Sequence, residues 1–513
     1  MNKNVMFTDM VGYSKLTGDD QNLALELLKE HDKIIEPIIE KYKGSIVKRI
    51  GDAIVAIFDD PTNMIQSGVE IQQGLRNRNN RNTKSRHIVL RIGLHYGEIT
   101  LKNDEVYGLG YELASSIEPI CEYGGIAVSE DLYNHAHEDY ELILRGKKNH
   151  FFIRPIANFS FKSISNKLTI FKLYLNLLDW YEESQNQVHQ YLKKQNIKSD
   201  KYDLNLLNSR SRSNVDHYQA AVKFQNKHNL SYSVYHYKMH LDYDTNHKQN
   251  IDDIKLSILY IFSKLGLNRL VDKMCADLSD SSQSKPYFYF IKGIVAFNSN
   301  SFFESQEYFE QSLNDTNSDF FIEACYYSLI IFMKNQDYNK GLNLISYHED
   351  FFKSDSIYKI RFKLIRLIFE FHKKNSNELE TLIKTEHATF SNQQIDSHTL
   401  FIYSFLMQFY QNNSNTKAAL DIQNKAHLVI NELANHISGL QLKELFIEKP
   451  ILHQILNDEI EMVFTSNSSS ENFIEPDTSS KMKMDVFKFC VECGFKNDKN
   501  FSFCPSCGGK LTK

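Results

Sequence analysis

Glycine and proline are scarce in this 513-residue chain, 20 and 8 in all, and between about residues 176 and 464 they nearly vanish. A region without these turn-formers, in which Leu, Ile, Phe and Tyr recur at helical spacing, reads as helix rather than sheet. Also missing is any apolar run approaching the length of a membrane span. The opening residues MNKNVMFTDM have no signal-peptide core, so the expected location is the cytoplasm. Positive charge is not in excess: 59 basic against 64 acidic side chains leave a net charge of −5. That balance argues against a broad phosphate-binding surface, though not against a local one. Three cysteines, Cys121, Cys275 and Cys325, stand alone in apolar surroundings and read as ordinary buried thiols.

What is present is an ordinary folded composition, 42% hydrophobic and 24% charged, in a chain too long for one core. Residues 1–175 are the only part where strand and helix signals alternate. An apolar strand VMF leads into TDMVGYSKL, and LALELLKEHDKIIEPIIEKY has helical periodicity. SIVKRI and AIVAIF flank Gly51-Asp52, a strong hairpin signal, and IVLRIGLHYGEITL reads as a second hairpin with Gly97-Glu98 near its turn. The expected fold is α+β, a mixed or antiparallel sheet covered by helices.

In residues 176–464, YFYFIKGIVAFNSNSFFESQEYFEQSL places Gly293, Ala296, Ser305 and Phe309 where a helix-turn-helix repeat needs small and aromatic packing residues. CYYSLIIFMKNQDYNKGLNLI repeats the scheme, and residues 401–434 look like a further degenerate copy. The region resembles a tetratricopeptide-like all-α solenoid, with a generic helical bundle as the alternative. Residues 465–484 are serine-rich and read as a linker. In 485–513, Cys490, Cys493, Cys504 and Cys507 form C-x2-C-x10-C-x2-C. Two such turns supply four thiolates to one ion, which predicts a small ribbon around a structural zinc with no open ligand position.

The catalytic candidates are weak one by one. Asp9 after a strand could be a helix cap, Asp52 in a hairpin tip a turn residue, and Lys48 a solvated strand lysine. Together, FTDMVGYSKL, VKRIGDAIVAIF, LRIGLHYGEI and EVYGLGYELASSIEPICEYGGIAVSE resemble the catalytic domain of class III nucleotide cyclases, in that family's order and spacing. The resemblance covers about a third of the chain. It implies a domain that pairs head to tail, as homodimer or heterodimer, with the active site between its copies. It implies that a ribose 3′-hydroxyl attacks its own α-phosphate and expels pyrophosphate, with two Mg or Mn ions held by Asp9, Asp52 and the Met10 carbonyl. The turn Val11-Gly12-Tyr13-Ser14 would offer N–H groups to the triphosphate, Arg91 would hold terminal phosphates, and Lys162 is the candidate for a second basic contact from a late strand, with RGKK at 145–148 competing. Lys48 and Glu105 occupy the base-reading positions and favour ATP over GTP.

The resemblance breaks in one helix. GLGYELASS puts Tyr111, Glu112 and Ser116 where the family has Val, Asn and Arg. The asparagine orients the ribose and the arginine meets charge developing on the α-phosphate, so its loss removes two to three orders of magnitude in rate. The role of Glu112 is unresolved. Three readings follow: a weak adenylyl cyclase, one half of a heterodimer, or a pseudo-cyclase that binds nucleotide or only dimerises. A protein partner for the helical region is expected. The basic stretch at 76–87 reads as a solvated loop, and nucleic acid is not the expected partner.

Overall fold

The computed structural model describes residues 1–136 except 103 and 104, 151–184, most of 187–192, 202–203, 216–243, 250–437 except 354, 392–395 and 397, 440–452 except 450, and the short pieces 488–489 and 496–497. Two compact units lie within residues 1–210 and 211–464. The predicted zinc ligands Cys490, Cys493, Cys504 and Cys507, the linker and the RGKK segment lie outside the described residues.

The first unit is built on β1 (Asn2–Met10), far longer than its apolar VMF because both edges are paired. It runs antiparallel to β3 (Ala53–Phe58) on one side and to β4 (Leu90–Glu98) on the other. With β2 (Ser45–Ile50), β7 (Ile126–Ser129), β8 (Phe152–Phe159), β9 (Leu168–Tyr174) and the short Tyr202–Asp203, the order is β2-β3-β1-β4-β7-β9-β8-(202–203). Only β4 and β7 are parallel. The sheet is therefore mixed.

Helices α2 (Gln21–Lys41) and α3 (Pro61–Asn79) cover one face. Their starts are set by Asp20 and Asp60, whose side chains accept from Leu23 N–H and Asn63 N–H. The apolar stripe Leu27, Ile35 and Ile39 meets Met6, Ala56 and Leu94 from alternate strand positions. The opposite face, with Val5 and Val55, is closed by α4 (Leu109–Ile117) through Ala114. This helix lies so near β4 that a Cβ on Gly93 would fall 2.4 Å from the Ala114 carbonyl oxygen. The strand needs glycine there for approach, not for a turn.

One expected element is different. LRIGLHYGE is a single strand, and the hairpin lies further on, between β5 (Thr100–Lys102) and β6 (Glu105–Tyr107) in a separate two-stranded sheet. Gly97 does not turn; it admits Gly110 of α4, whose Cα a Cβ would meet at 3.1 Å. The basic stretch at 76–87 starts inside α3, and three of its four arginines are answered by carboxylates: Arg78 by Glu30, Arg86 by Glu26 and Glu30, Arg76 by Asp179.

The second unit is all-helical among its described residues. Its helices form successive pairs, for example Pro286–Asn298 with Phe302–Ser312 and Phe321–Lys334 with Tyr338–Tyr347. Each of six inter-helix turns holds one left-handed residue: His228, Gly266, Asn300, Gln336, Asn375 and Ser414. The same turn thus recurs every 34 to 39 residues along the chain. Within the pair that carries the sequence signature, Ser305 Oγ donates to the Gly293 carbonyl at 2.8 Å. The Phe309 ring fills the space that a Cβ on Gly293 would occupy, with 2.6 Å to the nearest ring atom. Gly341 stands in the same relation to Phe369.

Candidate functional site

Register decides which side chains meet. In β1, Val5, Phe7 and Asp9 alternate onto the face that α4 covers, while Met6, Thr8 and Met10 turn to the other. Asp9 pairs in register with Arg91 of β4, so the two share that face. Arg91 Nη2 donates to Asp9 Oδ2 at 3.2 Å.

Asp52 arrives from the β2–β3 hairpin. Ile50 pairs with Ala53, leaving Gly51 and Asp52 as a two-residue turn. Gly51 has φ of 63°, the conformation glycine takes most easily. The turn sets Asp52 beside the end of β1, where its Oδ2 accepts the Met10 N–H at 2.9 Å. Burial raises the Asp52 pKa, and the charge of Asp9 adds to the rise, while its backbone hydrogen bonds pull the other way. Asp9 and Asp52 are neighbouring carboxylates, hard oxygen donors of the kind that hold Mg²⁺ or Mn²⁺ jointly with substrate phosphates. The strain of like charges is what such a cation relieves, so these residues fit the implied metals.

The phosphate turn is less open than expected. Val11 N–H is already given to the Val89 carbonyl at 2.8 Å, so it offers nothing to a ligand. Gly12, left-handed at φ 79°, precedes the short helix α1 (Tyr13–Asp19), whose first N–H groups, those of Tyr13 and Ser14 included, have no intrahelical acceptor.

Lys48 owes its aim to a bulge. The β2–β3 register shifts between Ile46 and Lys48, and Lys48 consequently stands opposite Val55, on the α4 face. Its Nζ donates to Glu105 Oε2 at 3.1 Å, and Tyr107 donates to the same oxygen at 2.9 Å. The ammonium lies 5.7 and 5.6 Å from the ring centroids of Tyr107 and Tyr111, within cation–π range. The hydrogen bond with Glu105 raises the Lys48 pKa, and Lys48, then Tyr107, lower that of Glu105. Lys48 and Glu105, 57 positions apart, thus form one preassembled donor–acceptor edge.

The altered helix shows where its substituted side chains go. Glu112 is exposed in the first turn of α4 and accepts from Ser163 Oγ at 3.1 Å. Ser116 Oγ turns back onto the Glu112 carbonyl at 2.7 Å and presents no donor outward. Lys162 is exposed beside Ser163 in the turn between β8 and β9, not on a strand as expected, because β8 ends at Phe159 before the Ser/Asn-rich SFKSISN.

Sequence reasoning missed two residues. Tyr107 shares Glu105 with Lys48, as above. Glu118, only 3% exposed, lies just past α4 with Oε1 2.5 Å from Arg91 Nε, an ion pair by distance without hydrogen-bond alignment. Burial pushes its pKa up to about 7 against the pull of Arg91. No local pattern in SIEPI marks that glutamate as buried.

Part of the chain is similar to known proteins. Residues 2–151 match the family described as the adenylate and guanylate cyclase catalytic domain. A Rhizobium meliloti (strain 1021) protein named "Putative adenylate cyclase 3" is 30% identical over 134 residues, 26% of this chain and 23% of that one. A Myxococcus xanthus protein, "Serine/threonine-protein kinase pkn2", is 28% identical over 130 residues, 25% of this chain and 16% of its own. The chain thus spans under a quarter of the length of either relative. Among solved structures, an adenylate/guanylate cyclase/hydrolase from Silicibacter pomeroyi is 25% identical, with 34% of this chain and 96% of that one covered and a TM-score of 0.30. The adenylyl cyclase CyaB from P. aeruginosa is 20% identical, with 34% and 95% covered and a TM-score of 0.29. Residues 2–151 of the N-terminal unit are thus similar to the adenylate and guanylate cyclase catalytic domain, and a large helical region follows in the chain.

Proposed function

We propose that the N-terminal unit is a nucleotide cyclase that converts ATP to cyclic AMP and pyrophosphate, slowed by the rewritten helix. The observation that carries the reading is that residues distant in the chain pair on the α4 side of the sheet: Asp9 with Arg91, and Lys48 with Glu105 of the β5–β6 hairpin. Lys48 would donate to adenine N1 and Glu105 accept from the adenine amine, so the pair at 3.1 Å is opened and bridged by the purine edge. Tyr111, stacked at an angle on Phe7 with 6.3 Å between ring centroids, walls the base side. Tyr13 and Ser14 would turn their N–H groups to the triphosphate, and Arg91 would bind its outer phosphates. Two Mg or Mn ions held by Asp9, Asp52 and the Met10 carbonyl would acidify the ribose 3′-hydroxyl and neutralise the phosphates. The 3′-oxygen then bonds to the α-phosphorus, its proton leaves to solvent, and the bond to the bridging oxygen of pyrophosphate breaks.

The second reading, a pseudo-cyclase or half of a heterodimer, is favoured by Glu112 and Ser116. Neither supplies a cation to the α-phosphate, since one bonds Ser163 and the other its own helix. In a heterodimer the partner's helix would bring Asn and Arg to Asp9 and Asp52 of this chain. Head-to-tail pairing, a cytoplasmic location, a structural zinc at the four C-terminal cysteines and a protein partner for the helical region belong to the same proposal. The turn recurring at 34–39 residues supports a tetratricopeptide-like reading of that region.

The test is product analysis of the purified chain with each of the four NTPs and Mn²⁺, beside Asp52→Ala. A cyclic nucleotide absent from the variant supports an enzyme and identifies its base. Silence with all four, together with measurable ATP binding, replaces it by the second reading.

A further inference from the structure

Arg91 is held at both ends of its guanidinium. Nη2 reaches Asp9 at 3.2 Å, and Nε lies 2.5 Å from Glu118. The two carboxylates differ in their access to water. The Asp9 side chain is 33% exposed, whereas that of Glu118 is 4% exposed. An exposed carboxylate can exchange one cation for another at little cost, but a buried one left without its counter-charge is strongly unfavourable. Glu118 also cannot retreat. It opens a 3-10 turn, Glu118–Ile120, whose backbone sits against β4, with the Glu118 nitrogen 2.6 Å from where a Cβ on Gly93 would stand.

Asp9 cannot serve Arg91 and a divalent cation equally. A guanidinium beside Mg²⁺ or Mn²⁺ is repelled, and an ion held by Asp9 would compete with Arg91 for that carboxylate. We propose that the Arg91–Asp9 pair latches the cation-free site, and that Glu118 is the positioning residue which keeps Arg91 in place when a divalent cation takes Asp9. With Asp9 given to a cation, the Nη end of Arg91 would be free to face phosphate while its Nε stays on Glu118. Without Glu118, Asp9 is the remaining carboxylate beside Arg91 among the described residues, and an ion taking Asp9 must displace a guanidinium left with no carboxylate.

The inference rests on Asp9 being a cation ligand, so the experiment reads the cation and not turnover. Mn²⁺ binding to the full chain, without nucleotide, is followed by the electron spin resonance of the free ion. Wild type should bind Mn²⁺ in a manner that Asp9→Asn abolishes. Glu118→Gln should weaken binding about tenfold, the scale of one charge-assisted contact. In an Arg91→Gln background the same Glu118→Gln change should have less than about a twofold effect, because the latch is already gone. An equal loss in both backgrounds would mean that Glu118 acts by its charge alone, and no loss in either that it does not act; both overturn the latch while sparing the cation site. Absence of any Mn²⁺ binding sensitive to Asp9→Asn overturns the cation reading as well. Mn²⁺-soaked crystals of the unaltered chain give a check independent of variant folding. Arg91 Nη2 should leave Asp9 with Nε still on Glu118, and an arginine that remains on Asp9 defeats the proposal.

Discussion

Both units bury charged side chains, and they treat them in opposite ways. In the helical unit the Arg361 side chain is fully buried and bonds both oxygens of Asp396 at 2.9 and 3.0 Å. Lys264 and Glu323 pair in the same closed manner. There the buried Arg361 and Glu323 each meet an opposite charge of the same unit. In the N-terminal unit, Asp9 and Asp52 sit half-buried at one end of the sheet, and Arg91 is shared between Asp9 and Glu118. A closed pair maintains a fold, whereas an open set of like charges is the arrangement on which the proposed cation site rests.

The contrast can be broken most forcefully at Asp396. Replacing it by alanine removes the carboxylate that both Arg361 contacts reach, an expected loss of about 3–5 kcal/mol in the stability of the helical unit. Denaturant unfolding followed by circular dichroism measures it. Arg361→Met together with Asp396→Asn should restore much of that loss, and a failure to do so would show that the pair is needed for more than neutrality.

Next is Glu112→Asn combined with Ser116→Arg, which supplies the donors that the resemblance assigns to catalysis. Turnover of ATP should rise by roughly two to three orders of magnitude. A variant that binds ATP but gains nothing in product assays would argue that the N-terminal unit has abandoned the reaction.

The third break is by acid. His95, buried in β4 with Nδ1 2.8 Å from Ser129 Oγ, is held neutral by burial, which lowers its pKa to about 4. The unfolded chain binds this proton near pH 6.5 and the folded chain only near 4, so stability falls as pH drops through that window. The size is roughly 3 kcal/mol if His95 acts alone. His95→Asn should flatten the dependence of the unfolding midpoint between pH 6.5 and 4, and an unchanged slope would place the sensitivity elsewhere.

The smallest effect is expected at Lys48. Lys48→Glu sets two carboxylates side by side at Glu105, and affinity for a non-hydrolysable ATP analogue should fall about tenfold relative to the GTP analogue. Calorimetric titration of both analogues decides it; an unshifted ratio would remove Lys48 from base selection.

Much of this was legible in the chain itself. Alternating apolar residues around Gly51-Asp52 announced the hairpin, because a two-residue turn needs such residues and strands need that period. Asp9 and Asp52 could be singled out because the segments around them occur in a known order. The long helical region followed from the near absence of glycine and proline. The hairpin expected at Gly97-Glu98 was wrong for a physical reason: glycine marks close approach as well as turns, and local sequence does not distinguish them.

What the sequence determined by itself was which side chains the chain could bring to a site: the carboxylates Asp9 and Asp52, Lys48 and Glu105, and a serine at 116 where the resemblance has arginine. Only the tertiary structure decided how those groups are occupied. The bulge that aims Lys48, the Val89 carbonyl that takes Val11, and the burial of Glu118 behind Arg91 all arise between segments distant in the chain. A side chain's charge is written in its residue type, but its partner and its exposure to water are set by packing, and packing is not a local property.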